Sequence, residues 1–275
     1  MAAMPQTETI RGLERGLQVL KALHDMAIAS LHEMHIATRI SKPSLLRIFS
    51  TLERAGLVSQ RLADGRYRIS GNLDRMARKR DRHDRVAEAA APVLDRLCQK
   101  VKWPSDLFVP AGMYMERRET SRLRSPFFLR GDEVPGVGRR AGWLMTGVGR
   151  AYLAFCPDKE REQILKRLCQ SDRPDDRLAR EPRRLERILA ETRTRGYGTR
   201  DPGFVGGGYG QTPFDDGLAA IVVPLRDGAR VHGSINILWI KTAFTVEEFA
   251  DRHLGDLSAA AAEIVASLRH QATAR

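Results

Sequence analysis

At 275 residues and 42% hydrophobic content, the chain is long enough for about two domains and too apolar for a disordered one. Its 46 Lys and Arg against 34 Asp and Glu leave a formal charge of +12, which points to a polyanionic partner only if the excess is concentrated. Three cysteines with no CxxC pair imply free thiols in a reducing compartment. The lack of an apolar leader, or of about 18 consecutive apolar residues, predicts a soluble cytoplasmic protein with no membrane partner.

Residues 1–9 read as a loose tail. Ile10, Leu13, Leu17, Leu20 and Leu23 recur at helical spacing and predict a first helix that braces a small domain over residues 10–70. A short helix begins at Leu31. A turn follows, holding Arg39 where glycine is common, and then a basic helix over 42–55. There Leu45, Ile48, Phe49 and Leu52 build one buried face, while Ser44, Arg47, Thr51 and Arg54 occupy the other. Ser41 is expected as its N-cap, Pro43 suits the first turn, and Gly56 ends it. Val58 and Leu62 alternate with polar residues, Asp64-Gly65 turns the chain, and Tyr67 and Ile69 alternate again, predicting a hairpin with Arg61, Arg66 and Arg68 outward. Helix, turn, basic helix and hairpin is the order of a winged helix-turn-helix, which reads DNA. The charge agrees with it. Residues 1–41 carry four basic and four acidic side chains, whereas 42–82 carry eleven and four, a local excess of +7.

A linker helix region is expected over 71–100. Its helix, from 73 to 101, is highly charged at first and then apolar at Val86, Ala90, Val93, Leu94 and Leu97, with a kink or break near Ala90 and Ala91 caused by Pro92. A second domain over 83–272 mixes strands at 106–109, 113–118, 122–129, 218–225 and 231–238 with helices at 147–155, 159–169, 181–195 and 246–268. The fold class is therefore α+β with an antiparallel-rich sheet. His32 and His35 stand three apart with no further ligand at metal spacing, and Cys156 has no identifiable His partner. The run Gly206-Gly-Gly-Tyr-Gly210 lacks the order of a phosphate loop. No catalytic residue, metal or cofactor is expected.

Nearly the whole chain resembles the IclR family of bacterial transcriptional regulators. The resemblance rests on Arg15-Gly-Leu-Gln-Val-Leu, Lys42-Pro-Ser-Leu-Leu-Arg47 and Thr51-Leu-Glu-Arg-Ala-Gly-Leu-Val58. In the second half it rests on Gly149-Arg-Ala-Tyr-Leu-Ala-Phe155, Arg193-Thr-Arg-Gly-Tyr-Gly198, Leu218-Ala-Ala-Ile-Val-Val-Pro-Leu225 and Phe244-Thr-Val-Glu-Glu. It implies a winged helix-turn-helix joined by a helix to a GAF-like effector-binding domain. Val101-Lys-Trp-Pro-Ser-Asp106, Arg118-Glu-Thr, Ala154-Phe-Cys-Pro157 and Leu178-Ala-Arg-Glu-Pro182 resemble the MhpR-like subgroup, regulators of hydroxyphenylpropionate catabolism. That implies an aromatic acid as effector and catabolic genes as targets.

For reading duplex DNA, Lys42, Ser44 and Arg47, with Pro43 in the same first turn, are expected at base edges. Leu46 would meet a thymine methyl or pack under the wing, and Arg54, Arg61, Arg66 and Arg68 would bind phosphate. One winged domain makes few base contacts, so a homodimer or homotetramer on an inverted-repeat operator is expected, with half-sites roughly 34 Å apart. For the small organic acid, the resemblance implies Gly147, Val148, Asp201, Ile221, Asn236 and Leu238 as pocket residues beside Thr146, although Ile221 and Leu238 also read as plain core. Arg130 is a candidate carboxylate anchor, and Trp143, Met145 and Phe204 could hold an aromatic ring. Two rival readings stand beside this one: an enzyme acting on a small organic acid with an accessory DNA-binding head, and an architectural DNA binder without an effector.

Overall fold

The computed structural model describes residues 9–72, 82–127 and 136–273, and the chain divides after Asp81 into two units. The first holds α1 (Arg11–Met26), β1 (Ile28–Ala29), α2 (Leu31–Thr38), α3 (Lys42–Arg54), β2 (Val58–Gln60) and β3 (Tyr67–Ile69). The strands form a small antiparallel sheet in the order β1-β3-β2. Helical spacing turns Leu45, Phe49 and Leu52 of α3 inward against Val19, Leu23 and Met34, and the Tyr67 ring stacks on Phe49 at 3.7 Å, which fastens the hairpin to α3. Replacing such a buried phenylalanine with alanine costs about 3–5 kcal/mol.

Several expectations need correction here. Ile10, Leu13 and Leu17 are exposed, so α1 braces the unit through the expected Leu20 and Leu23 together with Val19. Leu62 is fully exposed and takes no part in the hairpin's buried face. Ser41 occupies the N-cap position of α3 but makes no side-chain cap; its hydroxyl donates to Ser44 Oγ at 3.0 Å. The capping device sits one helix earlier. Ser30 Oγ accepts from the Glu33 N–H, and Glu33 returns the bond to the Ser30 N–H at 2.6 Å. Arg39 ends α2 in the left-handed region at φ 57°, a conformation that glycine adopts at lower cost.

The second unit begins with α4 (Arg82–Val101), which runs through Pro92 without the expected break. Val86 and Ala90 before the proline, and Val93, Leu94 and Leu97 after it, are buried in one core, so tertiary packing holds the helix together across the missing hydrogen bond. Expected linker residues 73–81 lie outside the described residues. Then come β4 (Asp106–Ala111), β5 (Tyr114–Thr120), β6 (Arg140–Ala141), α5 (Gly147–Phe155), α6 (Asp158–Cys169), α7 (Pro182–Arg195), β7 (Gly198–Thr199), β8 (Leu218–Asp227), β9 (Arg230–Ile240) and α8 (Val246–Thr273). Short 3-10 turns cover Arg122–Arg124 and Pro174–Arg180. The first replaces the strand expected from 122, because the Arg122 side chain turns back to grip Asp106.

The six strands pair antiparallel in the order β6-β5-β4-β9-β8-β7. Side chains alternate across a sheet, so Trp239, stacked on Phe249 of α8 at 3.8 Å, faces one side, while Leu238 and Asn236 face the other. On that other side α5 lies so close that glycine is required twice. A Cβ on Gly147 would stand 2.7 Å from Val222 Cγ2, and one on Gly198 would stand 2.5 Å from the Gly147 carbonyl oxygen. Among the described residues no helix is long and apolar enough to cross a membrane.

Candidate DNA-reading face and ligand cavity

On α3, Lys42, Pro43, Leu46, Arg47 and Arg54 are exposed and Ser44 is half-buried, all away from the Leu45–Phe49–Leu52 side. Helix periodicity puts the first turn and Arg47 on one outward surface, where planar guanidinium and ammonium groups meet solvent. In the hairpin, Arg68 is exposed and donates to Ser59 Oγ at 3.3 Å. Arg61 stands 3.6 Å from the turn residue Asp64. Arg66 differs from both. Its Nη2 lies 2.6 and 2.7 Å from the two Glu33 oxygens, and that bond, with those from Ser30, holds the Glu33 carboxyl down at about 2.

In the second unit a cavity of about 70 Å³ lies between the sheet and the first turn of α5. Strand alternation delivers its apolar lining: Phe108 from β4, Leu218, Ala220 and Val222 from β8, and Leu238 from β9, with Val148 opposite. Thr146 caps α5 by accepting from the Gly149 N–H, and it donates to the Gly142 carbonyl at 2.5 Å. Around this lining stand Asp106, Arg117, Arg122, Arg139, Arg140, Arg200 and Asp216. Arg122 grips the wholly buried Asp106 through Nε at 3.1 Å and Nη2 at 2.8 Å, and the Thr120 hydroxyl donates to it at 2.7 Å. Burial pushes the Asp106 carboxyl up, but the Arg122 charge and hydrogen bonds, helped by Arg117 and Thr120, hold it below the usual carboxylate range. Arg200 Nη1 donates to both Asp216 oxygens at 2.7 and 3.0 Å, and its Cζ lies 5.4 Å from the centre of the Phe204 ring. Burial, then the neighbouring Arg122 charge, lowers the Arg139 guanidinium. Forked guanidinium groups beside an apolar floor suit a small organic anion.

Of the residues expected at the effector, Thr146, Gly147, Val148, Phe204, Asn236 and Leu238 line this cavity. Asn236 has a second task, since its Oδ1 accepts the Asp106 N–H at 2.8 Å and ties β4 to β9. Four expected residues do not line it. Trp143 is fully buried, packed edge-on against Tyr152, with its Nε1 donating to the Gly112 carbonyl. Met145 offers its carbonyl to the Asp201 N–H at 2.9 Å. Asp201 is held by the buried Arg150, and Ile221 alternates to the opposite side of β8 from Ala220 and Val222. Arg130 lies outside the described residues. The reading of the sequence missed Asp106, the arginines and Asp216. Arginine is so frequent here that no spacing marks these ones, which converge only through strand pairing. Cys156 lies apart from the cavity, its thiol pushed up to about 12 by burial and then by Glu160.

The family model for the IclR helix-turn-helix domain matches residues 12–62, and the model for the C-terminal domain of the bacterial transcriptional regulator IclR matches residues 81–266. Among solved structures, an IclR homologue from Microbacterium sp. strain HM58-2 is similar over 94% of this chain and 98% of its own, at 19% identity and a TM-score of 0.54. IclR of Thermotoga maritima is similar over 93% and 98%, at 20% identity and a TM-score of 0.51. An IclR homologue from Microbacterium hydrocarbonoxydans, solved with 4-hydroxybenzoate, is similar over 94% and 99%, at 20% identity and a TM-score of 0.50. These structures share the fold, and the two family models together span both units. With an outward basic helix and wing in one unit and an α+β domain in the other, the chain belongs to the IclR family of DNA-binding transcriptional regulators.

Proposed function

We propose that this regulator senses a small organic acid, an aromatic one of the hydroxyphenylpropionate or hydroxybenzoate type, and controls genes for its breakdown. The observation that carries this reading is the cavity itself, where guanidinium groups surround an apolar floor bordered by Phe108 and Phe204. The 4-hydroxybenzoate bound by the Microbacterium hydrocarbonoxydans homologue supports the same class of ligand. At about 70 Å³ the cavity is smaller than the roughly 150 Å³ that accommodates benzene. Ligand entry therefore displaces part of the lining, and the segment carrying Arg200, Phe204 and Gly207 is the part built on glycine, with Gly206 and Gly207 at φ 137° and 96°.

On the DNA side, Lys42, Ser44 and Arg47 read base edges while Arg54, Arg61 and Arg68 bind phosphate, and two copies pair to cover an inverted repeat. The ligand changes the setting of the paired heads and is returned unchanged. The test is fluorescence anisotropy on duplex DNA from upstream of the gene, titrated with 4-hydroxybenzoate, 3-(3-hydroxyphenyl)propionate and benzoate. One acid is expected to shift DNA affinity about tenfold or more, a coupling of ~1.4 kcal/mol, and Arg139→Gln to abolish the shift. Binding that ignores every acid would leave an architectural DNA binder, and mass spectrometry showing a consumed acid would reveal an enzyme.

A further inference from the structure

The wing arginines are not equivalent. Among the described residues Arg61 and Arg68 make contacts only within the hairpin, whereas Arg66 reaches across to α2 and places Nη2 on both oxygens of Glu33. Glu33 is itself immobilised. It occupies the third position of α2, its N–H bonds the Ser30 hydroxyl at 3.2 Å, and its carboxylate accepts the Ser30 N–H at 2.6 Å. Arg66 is anchored at the other end. Its carbonyl accepts the Arg61 N–H at 2.8 Å across the hairpin, the Gly65 N–H bonds the Arg61 carbonyl at 2.9 Å, and the next residue is Tyr67, which stacks on α3. The turn is therefore stiff within itself, and the Tyr67–Phe49 stack and β1 hold the base of the hairpin, but its strands are only three residues long and the turn lies beyond these anchors.

We propose that Glu33 and Arg66 are a wing-positioning pair, in which a carboxylate inside the DNA-binding head supports DNA affinity by fixing the hairpin against α2. Arg66 then acts through the pair and not as a phosphate contact. The inference rests on the DNA-binding role of this head. That role is judged by the wild type alone, whereas the pair is judged by the ratio of variant to wild type. Both side chains are about two-fifths exposed, 39% and 40%, so the pair adds little to folding. Its effect is geometric, and its sign is the opposite of simple electrostatics, in which removing a negative charge from a DNA-binding head tightens the complex.

The test uses the full chain and a duplex selected from a random-sequence pool by the wild-type protein. Glu33→Gln keeps the helix start, because glutamine also serves at that capping position. Glu33→Gln and Arg66→Ala are each expected to weaken binding about three- to tenfold, and the double variant no more than the weaker single one, as for partners in one interaction. Melting temperatures should match the wild type. Hydroxyl-radical footprints should lose protection at the flanks of the site, where the wing lies, and keep it at the positions read by α3. A merely structural role would leave those footprints unchanged in shape. The salt dependence of Arg66→Ala should parallel that of the wild type. The proposal is overturned if Glu33→Gln binds as tightly as the wild type or tighter, or if Arg66→Ala flattens the salt slope by about one phosphate contact.

Discussion

The exposed arginines of the first unit and the buried ones of the second are used in opposite ways. In the first, Arg47 and Arg54 of α3 and Arg68 of the hairpin are exposed, and no carboxylate among the described residues engages them. In the second, Arg117 and Arg150 are nearly inaccessible, and carboxylates and carbonyls surround the guanidinium groups. Arg150 holds Asp201 and the Leu144 carbonyl, and Arg117 and Arg122 enclose Asp106. An exposed guanidinium remains available to a polyanion and contributes little to folding. A buried one must have partners, and once it has them it fixes the position of whatever carries it. The same residue type thus forms an exposed basic face in one unit and, in the other, buried ion pairs, of which Arg117 and Arg122 border the cavity.

The sharpest way to break this contrast is to remove the buried carboxylate. Asp106→Ala leaves Arg117 and Arg122 without it and should destabilise the second unit by about 3–5 kcal/mol in chemical denaturation, whereas Arg54→Ala in the head should stay within about 0.5 kcal/mol. Equal effects would mean that burial does not distinguish the two sets of charges. Acid should act in the same direction. The Asp106 and Asp201 carboxyls are lowered in the folded state, so their contribution is complete above the unfolded value near 4 and is lost as pH falls through their folded values. Denaturation at pH 7, 4 and 3 should therefore show stability level at first and then falling, and Asp106→Asn should reduce the fall.

Next in size, Gly147→Ala forces α5 away from Val222 and the Thr199 backbone and should cost about 1–3 kcal/mol, with the ligand response weakened in the anisotropy titration. Arg47→Ala leaves folding intact but should cost about 1–3 kcal/mol of DNA binding and relax preference at one base position, as read by binding-site selection. An effect of opposite sign is expected at the turn of the head, where Arg39→Gly relieves the left-handed residue and should raise stability by about 1 kcal/mol in a thermal melt.

Elements with a strong local period were legible in advance. α3 shows its buried face at 45, 49 and 52, the expected strands at 218–225 and 231–238 form β8 and β9, and the helix expected at 181–195 is α7. What local pattern could not show was the outcome of competition with packing. Pro92 argues for a break that the core on both sides of it overrides, and 122–124 argues for a strand that the Arg122–Asp106 contact turns into a 3-10 segment. The two-residue strands β1, β6 and β7 have no signature of their own and exist because a longer neighbour offers hydrogen bonds. Trp143 illustrates the limit at the cavity. A tryptophan near a ligand-binding helix suggests a platform for a ring, but only the fold shows that its own ring packs against Tyr152.

By itself the sequence determined the order of the longer elements and the outward basic face of α3, because helical and strand periods, turn residues and charge placement are properties of neighbours along the chain, and its motifs carried the resemblance to the family. Only the tertiary structure decided which charges meet. Asp106 with Arg117 and Arg122, Arg150 with Asp201, Arg200 with Asp216, and Glu33 with Arg66 are partners brought together by strand register, by the glycine-mediated approach of α5 to the sheet and by the stacking of the hairpin on α3. Among so many arginines, any carboxylate has many possible partners in sequence and only a few in space.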